Sequence, residues 1–274
     1  MDEETFEMGI LPTHAEASPA SQSVPEIPNF ITLIANHYKG EWWAQGLHEW
    51  ENVIFVLLIS ILVSLLFYLG SRRPSLIPHP LQNFLEWFLE NLYQMIGAVV
   101  GKTGEKYIPF LGTLFIYILA MNWFGLVPFM KSPSSSLNTT IALAICVFLQ
   151  VQYLNIKNMG VGGFLYHMAG SPKDTLGWIM SPLLLSIEII TQISRPVTLS
   201  LRLFGNILGE HILIGAFALL GITMLAFKGW PIGIPLQTPF LFLSILTSLM
   251  QALVFTLLSS VYIFLSDPHS TENP

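Results

Sequence analysis

Phe240 to Ser266 is a run of 27 residues without a single Asp, Glu, Lys, Arg or His. As a helix rising 1.5 Å per residue it would be about 40 Å long, more than the roughly 30 Å of a bilayer's hydrocarbon core. Three further uncharged runs precede it: Asn52–Ser71, Tyr107–Met130 and Asn138–Ile156. A soluble core cannot hide this much apolar sequence, because the chain is 53% hydrophobic and only 10% charged. Soluble domains carry about a quarter of their residues as charges. In lipid the backbone must satisfy its own hydrogen bonds, so these runs are expected to be helices. The fold class is therefore an all-α integral membrane protein of about five to six helices.

The formal net charge of −6 divides unevenly. Nearly all of the excess acid lies in residues 1–51, which hold Lys39 as their one base, and the remainder is close to neutral. Residues 1–50 thus read as an acidic extracytoplasmic segment ahead of a membrane domain over 51–274. They lack the basic and apolar regions of a secretory signal. A basic nucleic-acid binder is excluded, so no nucleic-acid partner is expected. Cys146 is the only cysteine, which leaves no disulfide framework and no cysteine-based metal site. No cofactor and no metal are expected.

The first span, 52–71, ends at Arg72 and Arg73, which puts that end in the cytoplasm. The N-terminus is then outside and the C-terminus cytoplasmic. Residues 80–100 read as an amphipathic surface helix, with Leu85, Phe88, Leu92 and Ile96 on one face and Gln82, Glu86 and Glu90 on the other. Docking on other helices is an equal alternative. Residues 107–156 read as an antiparallel two-helix hairpin about a Ser/Pro loop at Ser132–Ser136, and Gly160, Gly162 and Gly163 as a cytoplasmic loop.

The last hundred residues form a second hairpin, 175–266. Its first arm, interrupted only by Pro182 and Pro196, is too long to stand upright in a bilayer, so both arms must tilt steeply or bend. It carries Glu188, Arg195, Arg202, Glu210 and His211 where ionisable groups are costly and mark a pathway or a pair. Glu188, Arg195 and Arg202 are spaced by seven and fall within about 40° of one another on a helix, with Asn206 on the same face. Glu188 and Arg195 read equally as a static pair or as pathway groups. Arg202 has no acid one turn away, which points to a carboxylate supplied by another chain. Gly205 and Gly209 form a GxxxG step, read here first as packing within the hairpin. Gln251 reads as an ordinary interhelical hydrogen bond unless the fold sets it beside Asn206.

The run Arg195-Pro-Val-Thr-Leu-Ser-Leu-Arg202-Leu-Phe-Gly-Asn206 resembles the signature of subunit a of the rotary F-type ATP synthases. Met121-Asn122, Leu126-Val127-Pro128, Gly160–Gly163 and Gln251–Leu258 support it, and the likeness spans about 50–265. The resemblance implies a non-catalytic, proton-translocating stator subunit in the bacterial inner membrane. Its partners would be the ring of c subunits, the b-type peripheral stalk and the rest of the complex, within the lipid bilayer. Arg202 takes the place of the arginine that separates two offset half-channels. Asn206, Glu210, His211, Ser244 and Gln251 would line the outer path and Glu188 the inner one, with Arg195 a further half-channel residue. Where members carry His at the position of His211, many place an acid seven residues before the glutamine. Ser244 departs from that pattern, and Glu210 is the candidate replacement. A secondary transporter binding an anion at Arg202 is the alternative. It is disfavoured by the lack of an internal repeat. An intramembrane hydrolase lacks any matching motif.

Overall fold

The computed structural model describes residues 50–72, 79–127, 130–170, 175–226 and 235–266. The acidic N-terminal segment, Arg73 and the Pro231 part of the hairpin turn lie outside the described residues. Six α-helices follow one another: α1 (Glu51–Ser71), α2 (Pro80–Val100), α3 (Ile108–Phe124), α4 (Leu137–Met168), α5 (Thr175–Ala226) and α6 (Thr238–Leu265). Short 3-10 turns at Lys102–Tyr107 and Pro133–Ser135 flank α3. All but α2 belong to five segments long and apolar enough to cross a membrane, and no strand occurs among the described residues.

Local chemistry sets the ends of these helices. Pro80, Pro109 and Pro239 each stand in a first turn, where a missing N–H costs nothing. α2 stops at Gly101, whose φ of 68° suits a residue without a Cβ, and its N–H returns to the Gly97 carbonyl. α1 is apolar nearly all round and buries only Glu51, Phe55 and Ile59, so most of its surface is left for lipid or partners. Phe55 meets Phe124 edge-on at 6.2 Å and Ser60 donates to the Tyr117 hydroxyl at 3.3 Å, tying α1 to α3.

α3 is the hub. Leu111, Ile118 and Met121 are fully buried, and α2 and α6 both pack on it. The apolar face of α2 is docked through Leu85, Leu92, Ile96 and Val100, while Phe84 and Trp87 stay exposed. The expected pairing of α3 with α4 is corrected here. α4 lies along α5, and α3 and α4 touch only marginally. The physical reason is the segment between them. Ser132, Pro133 and Ser134 are buried among α1, α3, α4 and α5, so the Ser/Pro run is a wedge and not a solvent loop.

The glycine loop is corrected as well. Only Gly160 leaves helical geometry (φ 69°, ψ 163°), and the chain resumes helix through Gly162 and Gly163 to Met168. α5 continues through Pro182 and Pro196 for 52 residues, about 78 Å at the usual rise. α6 adds 28 residues, and Phe217 stacks on Phe240 at 3.9 Å to join the two arms. Neither arm can stand upright in a ~30 Å core.

Candidate functional site: two polar clusters and an open arginine face

Pro196 removes the N–H that would bond the Gln192 carbonyl, yet α5 does not break. Nearby hydroxyls bond back to the backbone, Thr198 to the Ser194 carbonyl at 2.9 Å and Ser200 to that of Val197 at 3.0 Å. The unbroken helix fixes the angular order of its polar residues. Leu199, Leu203 and Ile207 point into the core, and Arg202 lies on the exposed side.

Arg202 makes no hydrogen bond or ion pair with the described residues, and a Cβ added at Gly205 or Gly209 would meet nothing within 4 Å. The GxxxG step therefore does not pack within the hairpin; it opens onto the arginine's side of α5. Asn206 sits one turn on, with its Nδ2 buried and unpaired.

One polar cluster lies where α5 meets the serine turn and the first half of α6. The Glu210 carboxylate accepts a hydrogen bond from Thr247 Oγ1 at 3.2 Å, and the Ser244 side chain faces it. Ser248 is turned the same way without completing a hydrogen bond. From there the polar groups run into α3. Asn122 Nδ2 reaches the Ser248 carbonyl at 3.5 Å, and Asn122 Oδ1 accepts from Ser134 Oγ at 2.7 Å. Ser134 and Ser132 hydroxyls touch at 2.6 Å, and Ser132 Oγ donates to the Met121 carbonyl at 2.9 Å. Two hydroxyls thus hold two protons for three short contacts, so rotation of the hydroxyls can redistribute the hydrogen bonds. His211 points away from Glu210. Its Nε2 would stand 3.2 Å from a Cβ at Gly125, a position Ser132 also crowds. Glu210 thus faces α6, while His211 stands near Gly125 and the serine turn. Gln251 is buried, and its Nε2 has no hydrogen-bond partner, so the expected interhelical bond is not formed.

The second cluster lies further back along α5. Gln192 Nε2 donates to Glu188 Oε1 at 3.0 Å, and Gln152 Nε2 on α4 donates to Gln192 Oε1 at 3.1 Å. The Arg195 guanidinium lies 5.0 Å from the ring centroid of Tyr262 on α6, a cation–π distance. Glu188 and Arg195 form no ion pair with each other, which removes the static-pair reading.

The structure thus gathers Glu210, Ser244 and Gln251 at the α5–α6 face, with His211 opposite, and separates them from Glu188 and Arg195. Residue-by-residue reading missed Ser132, Ser134, Thr247 and Ser248. Ser244, Thr247, Ser248 and Gln251 recur at helical spacing, a polar stripe inside an apolar run that was visible in the sequence. The buried serines gave no such signal, since Ser/Pro runs usually mark exposed turns.

Among the described residues, six helices, five of them in segments long and apolar enough to span, with ionisable groups along the longest, define a multi-pass membrane protein of the ion-conducting kind. Residues 53–264 match the family model described as "ATP synthase A chain". The chain is 59% identical over 248 residues to "ATP synthase subunit a" of Protochlamydia amoebophila, covering 90% of this chain and 92% of that one. It is 35% identical over 214 residues to the protein of that name from Moorella thermoacetica (78% and 89% covered). A third, from Sulfurihydrogenibium sp., is 33% identical over 213 residues (78% and 95% covered). The chain belongs to the ATP synthase A chain family. The likeness to the first of these covers nine-tenths of the chain, so it extends into the first 50 residues, where no resemblance was expected.

Proposed function

We propose that this chain is the proton-translocating stator subunit of an F-type ATP synthase, with Arg202 separating two half-channels that serve the c-ring carboxylates. The observation that carries the reading is the open face of α5, where Arg202, Gly205 and Gly209 stand without a partner among the described residues. A cation there needs an anion from another chain, and a facing helix with carboxylates at the same depth supplies it. The guanidinium stays charged, holds the deprotonated carboxylate, and repels a proton moving straight between the paths.

On the outer path a proton passes the serine turn, His211, Glu210, Ser244, Gln251 and Asn206 to reach a ring carboxylate. The neutral acid then turns through lipid at low cost, and the proton leaves by way of Glu188 and Arg195. Glu210 stands beside Ser244, which supports it as the carboxylate that other members carry on the last helix. The N-terminus lies outside and the C-terminus in the cytoplasm, with the b-type stalk as a further partner.

The test compares ATP-driven acidification of inverted vesicles carrying the native chain or Arg202→Ala, with assembly checked by co-purification. Pumping should fall to background in a complex that still assembles. Arg202→Lys should fall too, because a desolvated ammonium releases its proton where a guanidinium does not. Native pumping in either variant would remove the gate role.

A further inference from the structure

Glu188 does not stand alone on α5. Gln192, one turn on, donates to its Oε1 at 3.0 Å, and Gln152, reaching across from α4, donates to Gln192 Oε1 at 3.1 Å. The two amides point their N–H groups the same way, so the chain of dipoles converges on the carboxylate. Its far end is Gln152 Oε1, buried without a hydrogen-bond partner. A small, largely apolar cleft between α4, α5 and α6 is lined by Val151, Gln192, Arg195, Leu199 and Tyr262.

The geometry points to Gln192 and Gln152 as positioning residues for the inner-path carboxylate, a two-amide strap that holds Glu188 in the orientation from which it receives protons. The inference rests on the reading of Glu188 as that carboxylate. Three features support it. A Glu side chain on the outside of a helix samples several rotamers, and a donor fixed at both ends selects one. Gln192 could not serve that purpose alone, because its own amide would turn freely, and Gln152 pins it from a second helix. Gln152 makes its one side-chain hydrogen bond to Gln192 and leaves its own buried Oε1 unpaired, so pinning Gln192 is what its amide does here. The strap thus joins Glu188 to the α4–α5 seam.

The experiment measures protons pumped per ATP hydrolysed in vesicles of the assembled complex. Gln192→Met keeps the length and volume of the side chain and removes the amide. It should lower pumping by about tenfold, the order of one hydrogen bond to a charged group. Gln152→Met should lower it by roughly threefold, since it loosens Gln192 without removing the donor. Glu188→Asp keeps a carboxylate but withdraws it by a methylene from the strap. In that background Gln192→Met should change pumping by less than about twofold, because residues acting as one unit are not additive.

Losses that multiply in the double variant overturn the strap, as does a Gln192→Met chain that fails to assemble, since either marks a packing role. Glu188→Gln separates the two readings. If it pumps at the native rate, Glu188 is not the inner-path carboxylate and the strap falls with it. If it is impaired while both methionine variants pump normally, the strap alone is wrong.

Discussion

Single residues decide the chemistry of the outer cluster. Ser134 Oγ is buried and donates to Asn122 Oδ1 at 2.7 Å, whereas Ser135, one residue on, only returns a bond to the Ser132 carbonyl at the edge of the turn. Ser134→Ala leaves a buried amide oxygen unpaired, at a cost of about 1–3 kcal/mol. The assembled complex should therefore unfold at a lower temperature and pump more slowly. Ser135→Ala should change the midpoint little, and equal effects of the two would show that burial is not what matters. Arg202, Asn206 and Glu210 were legible in the sequence because polar groups inside an apolar run are rare and expensive. Ser132 and Ser134 were not. A serine-proline stretch has the same composition whether it faces water or is wedged between helices, and only tertiary contacts separate the cases.

Among the elements, the long arm and the glycine break behave unlike their residues' local preferences. Pro196 should end a helix in water, where exposed carbonyls find other partners. Within α5 the helix runs on through Pro196, as spanning helices held by their neighbours can. The sequence showed this arm as one long element because only Pro182 and Pro196 interrupt its helix-compatible run. Three glycines in four positions at 160–163 suggested a loop, yet one alone carries the change of direction. Its φ of 69° with ψ of 163° belongs to a region reached almost only by glycine. Gly160→Ala should thus cost about 1–3 kcal/mol, and Gly162→Ala, in helical geometry, should be neutral or mildly stabilising. Thermal melting of the purified complex distinguishes them. Comparable losses at both positions would mean that the break is not fixed by the backbone of Gly160.

At the scale of the whole molecule, the chain is finished on one side and unfinished on the other. α3 sits inside a closed packing of α2 and α6, and α4 closes against α5. The side of α5 bearing Leu201, Arg202, Gly205 and Gly209 meets no other part of the described chain. Two glycines one turn apart lower the wall of a helix so that a second backbone can approach, and none of the described residues uses that space. The two possible uses predict opposite results for Gly205→Leu. The added side chain meets no intrachain atom at its Cβ, and leucine is the better helix former by about 0.8–1 kcal/mol. Judged by the chain alone, the variant should insert and fold at least as well as the native one. Judged by a helix that docks against that face beside Arg202, it should be excluded from the complex. The expected outcome is a normal amount of chain in the membrane with little or none recovered on purification through another subunit. Gly125→Leu supplies the contrast, because Ser132 already crowds that position and the defect should appear as loss of the chain itself. If Gly205→Leu co-purifies and pumps at the native level, no helix approaches there, and the partner that neutralises Arg202 must reach it from another direction.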